Sequence, residues 1–88
     1  MRPLLGHLVL YTKKYCGLCE EAKAQILTLQ KTVPFSFEQV DIEAAGNTEW
    51  LRKYMYDIPV IHINGVPLMK HGVHIETLVD ELNKEPFH

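Results

Sequence analysis

Two cysteines, Cys16 and Cys19, are separated by only two residues, and no other cysteine occurs in the 88 residues of the chain. They follow the apolar run at residues 8–11 and open a segment with helical periodicity. A Cys-x-x-Cys pair where a strand meets a helix is the arrangement that dithiol redox chemistry needs, because the start of a helix stabilises a thiolate. The pair therefore predicts a site of thiol–disulfide exchange.

Cys16 is expected to be the nucleophile of the pair. At the cap or first position of a helix, its sulfur would meet unsatisfied backbone N–H groups and the positive end of the helix dipole. Lys13 and Lys14 lie just upstream and favour the thiolate, whereas Glu20 and Glu21 oppose it weakly. The pKa of Cys16 should therefore fall from about 8.5 into the range of about 3.5–7.5 found at such sites.

Cys19 should be the resolving cysteine. It lies one helical turn deeper on the stripe that it shares with Ala22 and Ile26, and a buried thiol stays protonated until it is needed. Beside the thiolate, Leu18 should present an exposed apolar side chain to a substrate. Of the two tyrosines that flank the pair, Tyr11 is expected in the core or at the rim, and Tyr15 is a candidate substrate contact.

Two other interpretations of the cysteines are open. Zinc needs four ligands, and the chain has no second cysteine pair. Histidines would have to complete such a site, with His71 and His74 as the first choice and His7 and His62 as other donors. The cysteines can also be inert and buried. We predict no metal site, and we expect each histidine to lie on the surface or to be partly buried.

Four stretches of the chain have strand patterns, namely residues 7–11, 36–42, 58–63 and 66–70. The last two flank Asn64-Gly65, which is typical of a hairpin with a type I′ turn, where both central residues need positive φ. Pro67 cannot donate a hydrogen bond to a neighbouring strand, so the last strand should lie at a sheet edge. Pro59 begins the third strand, where a cis peptide bond is one explanation and an ordinary trans bond the other. A cis bond would leave the backbone of Ile58 free to pair with an extended peptide.

Three further stretches have apolar stripes at helical spacing. The stripes are Cys19, Ala22, Ile26 and Leu29, then Trp50, Leu51, Tyr54 and Met55, and finally Ile75, Leu78, Val79 and Leu82. Residues 85–88 are interpreted as a tail. The predicted order is β-α-β-α-β-β-α, an α/β fold in which helices cover both faces of a four-stranded mixed sheet. Its size fits one domain, residues 1–88.

These features together resemble the thioredoxin fold, and specifically the divergent branch of glutaredoxin-like proteins. The matching segments are 11–19, 58–60 and 63–65, and the resemblance covers nearly the full length. It implies that Lys13 binds the glycyl carboxylate of glutathione, that Ile58 pairs with its cysteinyl backbone and that Pro59 is cis. The chain departs from the family in having Gly-Leu between the cysteines. The Gly-Gly turn and the acidic pair that hold the γ-glutamyl end are not intact, which leaves backbone N–H groups near Gly72 and Val73 to hold a carboxylate.

Composition argues against several other classes of protein. The net charge of −2 does not suggest a nucleic-acid partner, and the apolar runs fall far short of the roughly 20 residues of a membrane span. No signal peptide is visible at residues 1–6. Two neighbouring cysteines fit a working dithiol in a reducing compartment, so we expect an intracellular protein, cytoplasmic or mitochondrial, that acts as a monomer.

The sequence thus predicts a thiol–disulfide oxidoreductase whose dithiol is Cys16 and Cys19. The expected partner is a disulfide-containing protein or a glutathione mixed disulfide. Glutathione is a candidate co-substrate, and no tightly bound cofactor is expected. Two alternatives stay open: a non-enzymatic module that binds glutathione with an iron–sulfur cluster or another metal, and a redox-inert adaptor on the same scaffold.

Overall fold

The computed structural model describes residues 4–84, so the predicted tail at 85–88 and the first three residues lie outside the described part of the chain. Its strands are β1 (His7–Thr12), β2 (Ser36–Asp41), β3 (Val60–Ile63) and β4 (Val66–Lys70). Its helices are α1 (Gly17–Gln30), α2 (Thr48–Tyr54) and α3 (Ile75–Leu82). The order is β-α-β-α-β-β-α, which confirms the predicted fold class.

The four strands form one mixed sheet in the order β2-β1-β3-β4. β1 and β2 are parallel, as a crossover through α1 requires, while β3 runs antiparallel to both β1 and β4. Asn64 and Gly65 have φ of 52° and 83°, as a type I′ turn requires. Pro67 lies in the edge strand β4, where a missing N–H costs least.

Each face of the sheet has its own apolar core. On one face, α1 and α3 contribute Ala22, Ile26, Leu78 and Leu82, which pack with the strand residues Leu8, Leu10, Ile61 and Ile63 and with Phe35. On the other face, α2 contributes Tyr54, which packs with Tyr11, Ile42 and Val60. Helices therefore cover both faces, as the alternation of side chains along the strands requires.

The structure corrects three details of the predicted elements. Met55 does not join the buried side of α2, since its side chain is 42% exposed. It lies about 100° around the helix axis from Tyr54, the residue that faces the sheet. Ile75 is also exposed, because it begins α3 beside an open groove against α1. β3 begins at Val60 rather than at residue 58, since Pro59 has no N–H to pair with a neighbour.

Candidate functional site

The register of the sheet places the predicted site residues at one of its ends. Thr12 at the end of β1 pairs with Asp41 at the end of β2, and Val60 at the start of β3 pairs with both Tyr11 and Lys70. The loop after β1, the segment before β3 and the turn after β4 therefore lie at the same end. These segments, together with the first turn of α1, carry all the candidates from the sequence: Lys13, Tyr15, Cys16, Leu18, Cys19, Ile58, Pro59, Gly72 and Val73.

Cys16 is the N-cap residue of α1, in extended conformation with φ −114° and ψ 105°. Its Sγ accepts a hydrogen bond from the backbone N–H of Cys19 at 3.2 Å, and its carbonyl accepts one from Glu20 at 3.1 Å. A side chain at this position takes the place of a Ser or Asp cap, so the helix start stabilises negative charge on the sulfur. The predicted cap position of Cys16 is thus confirmed.

Cys16 and Cys19 are joined in a disulfide, with 5.2 Å between their Cα atoms. Their surroundings differ, because Cys19 is only 2% exposed within the core side of α1, whereas Cys16 is half-buried at the helix start. The expected order of accessibility holds, although Cys16 is less exposed than the sequence suggested. A thiol partner can therefore approach the pair only from the side of Cys16.

Two large side chains close to Cys16 in the sequence, one before it and one after it, are exposed. Tyr15 has φ of 60°, a conformation that residues with a Cβ rarely adopt, and its side chain is fully exposed. Leu18 in the first turn of α1 is 56% exposed, as the sequence predicted. Both are therefore exposed within two residues of Cys16, whereas Tyr11 is buried in the core as expected.

A polar cleft of about 290 Å³ opens on the β2 side of the pair. It is lined by Thr12, Lys13, Lys14, Glu20, Gln39 and Asp41. The half-buried Lys13 is thus at this cleft, where two lysines face two carboxylates. Such a lining suits a zwitterionic group, which offers a carboxylate to the lysines and an amine to the acids.

The peptide bond between Ile58 and Pro59 is cis, and the Pro59 ring is buried. The backbone of Ile58 is only partly free, however. Its N–H donates a hydrogen bond to the carbonyl of Tyr54 at 3.2 Å, and the N–H of Asp57 donates to the same carbonyl at 2.9 Å. We expected the whole Ile58 backbone to be free to pair with a peptide. That expectation is wrong for its N–H group, which is bonded to the end of α2.

The turn after β4 supports residues 57–59 from the side opposite α2. The N–H of His71 donates to the carbonyls of Pro59 at 2.8 Å and Asp57 at 3.1 Å. The side chains of His71 and Lys70 also reach the Asp57 carboxylate, at 3.8 and 3.9 Å. This cluster was not predicted, although its signal was an acid directly before Ile-Pro and two basic residues, the last of β4 and the one that follows it.

Gly72 and Val73 follow directly and are both half-buried. A Cβ at Gly72 would meet nothing within 4 Å, so the space on that side of the residue is open. Val73 instead packs against the core formed with α1 and α3. The next residue, His74, caps α3 without a side-chain hydrogen bond.

His62 is buried on the α2 face of β3, with only 5% of its surface exposed. Its Nε2 lies 2.6 Å from Oη of Tyr54, and its Nδ1 lies 3.4 Å from Oη of Tyr11. We call these three residues the His62 network. Burial, together with the charge of Lys53, lowers the pKa of His62. Burial raises the pKa of both tyrosines.

The expectation that every histidine lies on the surface or is only partly buried is therefore wrong for His62. The signal was its place inside the apolar run of β3, whose four residues are all buried. A buried imidazole needs partners for both ring nitrogens, and only the tertiary structure reveals which residues provide them.

Residues 4–84 contain no group of three or more His, Cys, Asp or Glu side chains that could hold a metal ion. His7, one of the alternative donors, instead bonds to Ser36 at 2.6 Å and to Glu38 at 3.1 Å. Within the same residues, none of the helices has the length and apolar character needed to cross a membrane.

Comparison with known proteins gives a family match over most of the chain. The family described as "Glutaredoxin-like domain (DUF836)" matches residues 7–83. A curated relative, "Glutaredoxin-like protein YDR286C homolog" from Dictyostelium discoideum, is 29% identical over 76 residues, which are 82% of this chain and 70% of that protein.

Solved structures agree with the fold. The solution structure of protein Ne2328 from Nitrosomonas europaea has a TM-score of 0.76 at 27% identity, covering 91% of this chain and 94% of that one. Oxidised thioredoxin O2 from Arabidopsis thaliana has a TM-score of 0.67 at 23% identity, covering 90% and 76%. The second likeness shows the fold alone, which is that of thioredoxin.

Proposed function

The chain belongs to the glutaredoxin-like domain family, and from that membership we propose that it is a thiol–disulfide oxidoreductase in which Cys16 attacks and Cys19 resolves. One observation carries the proposal: Cys16 caps α1 while its disulfide partner Cys19 is buried one turn deeper. An accessible thiolate above a protected thiol is the division of labour that such exchange requires.

The proposed reaction starts from the reduced dithiol. The Cys16 thiolate attacks one sulfur of a substrate disulfide, so that a mixed disulfide with Cys16 forms and the other half of the substrate leaves as a thiolate. Cys19 then loses its proton and attacks Sγ of Cys16, which forms the Cys16–Cys19 disulfide and releases the second half as a thiolate. Two electrons pass from the protein dithiol to the substrate, whose two thiolates take up protons from water.

Return to the dithiol needs an external thiol, and we take glutathione as the co-substrate. Two glutathione molecules would reduce the pair and leave as glutathione disulfide. Lys13, the Ile58 carbonyl and the backbone at Gly72 and Val73 are the proposed contacts for glutathione. Their common end of the sheet and the polar cleft at Lys13 support this assignment.

The substrate is proposed to be a protein disulfide or a glutathione mixed disulfide. Tyr15 and Leu18 are the proposed contacts for its apolar surface, since both are exposed beside Cys16. A monomer in a reducing intracellular compartment, the cytoplasm or mitochondria, completes the proposal. In such a compartment glutathione keeps the dithiol reduced between turnovers.

The test is a glutathione-coupled assay of a small mixed disulfide, run with the wild-type protein and with Cys16→Ser. The wild-type protein should turn the disulfide over, and Cys16→Ser should reduce the rate to the uncatalysed background. Thr32→Ser is the surface control, because it changes an exposed residue beyond the far end of α1 and keeps the hydroxyl, and it should retain turnover. A wild-type protein without turnover, whose Cys16 pKa is also ordinary, would overturn the proposed oxidoreductase.

A further inference from the structure

The end of α2 is connected to the proposed substrate-binding segment through one residue. Tyr54 is the last residue of α2, and its carbonyl accepts the N–H groups of both Asp57 and Ile58. The position of Ile58 therefore follows that of Tyr54. On the other side, His71 holds Asp57 and Pro59 through its own N–H. The segment 57–59 thus rests on two supports, of which one is the end of α2.

The side chain of the same tyrosine determines where α2 sits on the sheet. α2 has only 7 residues, and Tyr54 is its one buried side chain. A helix this short has little stability of its own, so its tertiary contacts decide its position. Trp50 and Leu51 are only partly buried, and their apolar packing is not directional. The start of α2 is held by Asn47, whose side chain donates to the carbonyl of Asp41 at 2.8 Å. At the other end, the bond of 2.6 Å between Tyr54 and His62 is directional, and it holds the end of α2 on β3.

His62 is itself held by several contacts. Its main chain is in β3, opposite Val9 of β1, and its second ring nitrogen faces Tyr11. The rings of Tyr11, Tyr54 and Trp50 surround it, with centroids 4.5, 5.7 and 5.9 Å from the imidazole. The imidazole is therefore a fixed point on the sheet to which the end of α2 is attached.

We propose that His62 and Tyr54 are positioning residues, which hold the Ile58–Pro59 segment in place for an extended peptide substrate. This inference rests on the proposed function, because it assumes that a disulfide substrate lies along that segment. Neither side chain takes part in the exchange of sulfur bonds. Without their bond, the end of α2 and the Ile58 backbone can shift, and a peptide that pairs with Ile58 then binds less tightly.

The test compares a disulfide that contains a peptide backbone with one that does not. One is a fluorescence-quenched disulfide of an extended peptide, and the other is 2-hydroxyethyl disulfide, which has no peptide groups to pair with Ile58. Each is mixed in excess with the pre-reduced protein, and the release of substrate thiol is followed in a single turnover. The concentration dependence separates the half-saturation concentration from the limiting rate.

Three variants are compared with the wild-type protein. Tyr54→Phe removes the hydroxyl but keeps the ring. In Tyr54→Phe alone, the buried Nε2 of His62 loses its partner, which can destabilise the fold. The double variant Tyr54→Phe with His62→Leu removes both polar groups of the bond, and it keeps the test possible if the single variant folds poorly. Ile63→Val is the control, because this buried residue lies on the opposite face, at the far end of β3.

Both Tyr54 variants should raise the half-saturation concentration of the peptide disulfide roughly fivefold, a change within the range expected for the loss of one hydrogen bond. Their limiting rate, their Cys16 pKa and their rate with 2-hydroxyethyl disulfide should be unchanged. Ile63→Val should change none of these quantities.

An unchanged half-saturation concentration in both Tyr54 variants would overturn the inference. Equal slowing with both disulfides would overturn it too, since that result means a general structural role. In either case an active wild-type protein leaves the proposed function standing. A wild-type protein that is inactive with both disulfides overturns the proposed function, and the inference with it.

Discussion

The backbone N–H of Cys19 donates a hydrogen bond to Sγ of Cys16 at 3.2 Å. The residue proposed to resolve the mixed disulfide thus also stabilises negative charge on the sulfur proposed to attack. This relationship depends on the backbone and not on the Cys19 side chain. It therefore persists when the side chain of Cys19 is changed, which allows the two roles to be tested separately.

The first prediction concerns the Cys16 thiol in Cys19→Ser, where it is the only thiol. Its pKa should lie below the ordinary value of about 8.5, because the N-terminus of α1 favours the thiolate. The measurement is the rate of alkylation by iodoacetamide as a function of pH. Glu20→Gln, which removes an opposing charge from the first turn, should lower the midpoint further. A midpoint at the ordinary value would contradict the proposed activation.

The second prediction concerns resolution. Cys19→Ser should accumulate a covalent adduct with one half of a peptide disulfide, because the thiol that releases the substrate is missing. Mass spectrometry of the intact protein measures the adduct, and added glutathione should remove it. Cys16→Ser provides the control and should form no adduct, since Cys19 is buried. An adduct on Cys16→Ser would reverse the assigned roles.

The third prediction concerns Lys13 at the polar cleft. Lys13→Gln should raise the half-saturation concentration of glutathione roughly fivefold, which corresponds to about 1 kcal/mol from one lost charge contact. Steady-state kinetics at fixed disulfide substrate measures it. Lys31→Gln removes an equal charge at the far end of α1 and should have little effect. Equal effects of the two variants would mean that only net charge matters.

The fourth prediction concerns the stability of the fold in acid. The folded pKa of His62 is lowered from its ordinary value of 6.5 by burial and by Lys53. Below pH 6.5 the unfolded chain therefore binds a proton that the folded chain still rejects. The contribution of the neutral His62 to stability is fully present above that pH. The free energy of unfolding should therefore fall as the pH drops from 6.5 towards the folded pKa.

Urea unfolding at about pH 7.5 and about pH 5 measures this loss. In His62→Leu, the difference between the two conditions should be smaller than in the wild-type protein. His74→Gln changes an exposed histidine and should keep the wild-type difference. If the difference stays undiminished in His62→Leu, other groups cause the loss in acid.

The fifth prediction concerns the hairpin between β3 and β4. Gly65 has φ of 83°, a conformation that a Cβ makes unfavourable by about 1–2 kcal/mol. Gly65→Ala should lower the free energy of unfolding by about that amount, measured by urea titration. Gly17→Ala adds the same methyl group where nothing lies within 4 Å and the backbone is helical, and it should cost little. Equal losses would show that φ at Gly65 is not the cause.

Much of the fold was readable from local pattern. The apolar stripes of α1, α2 and α3 and the Asn64-Gly65 turn are properties of neighbouring residues, and they led to the right order of elements. The pair Cys16 and Cys19 was readable for the same reason, because a strand followed by a helix start lies within a few residues of it. Accordingly, their cap and burial follow from helix geometry alone.

The tertiary structure decided which residues far apart in the chain contact each other. The network of His62 joins residues from β1, α2 and β3, and the support of Asp57 by His71 depends on the pairing of β3 with β4. The use of the Ile58 N–H by Tyr54 depends on where α2 ends. No local pattern encodes such contacts, because they depend on the register of the strands and on the position of each helix on the sheet. The sequence by itself determined the place of the cysteine pair at the start of α1 and the order of the elements around it. The packing of α2 on the sheet decided which residues support the Ile58–Pro59 segment, because that packing joins residues far apart in the chain.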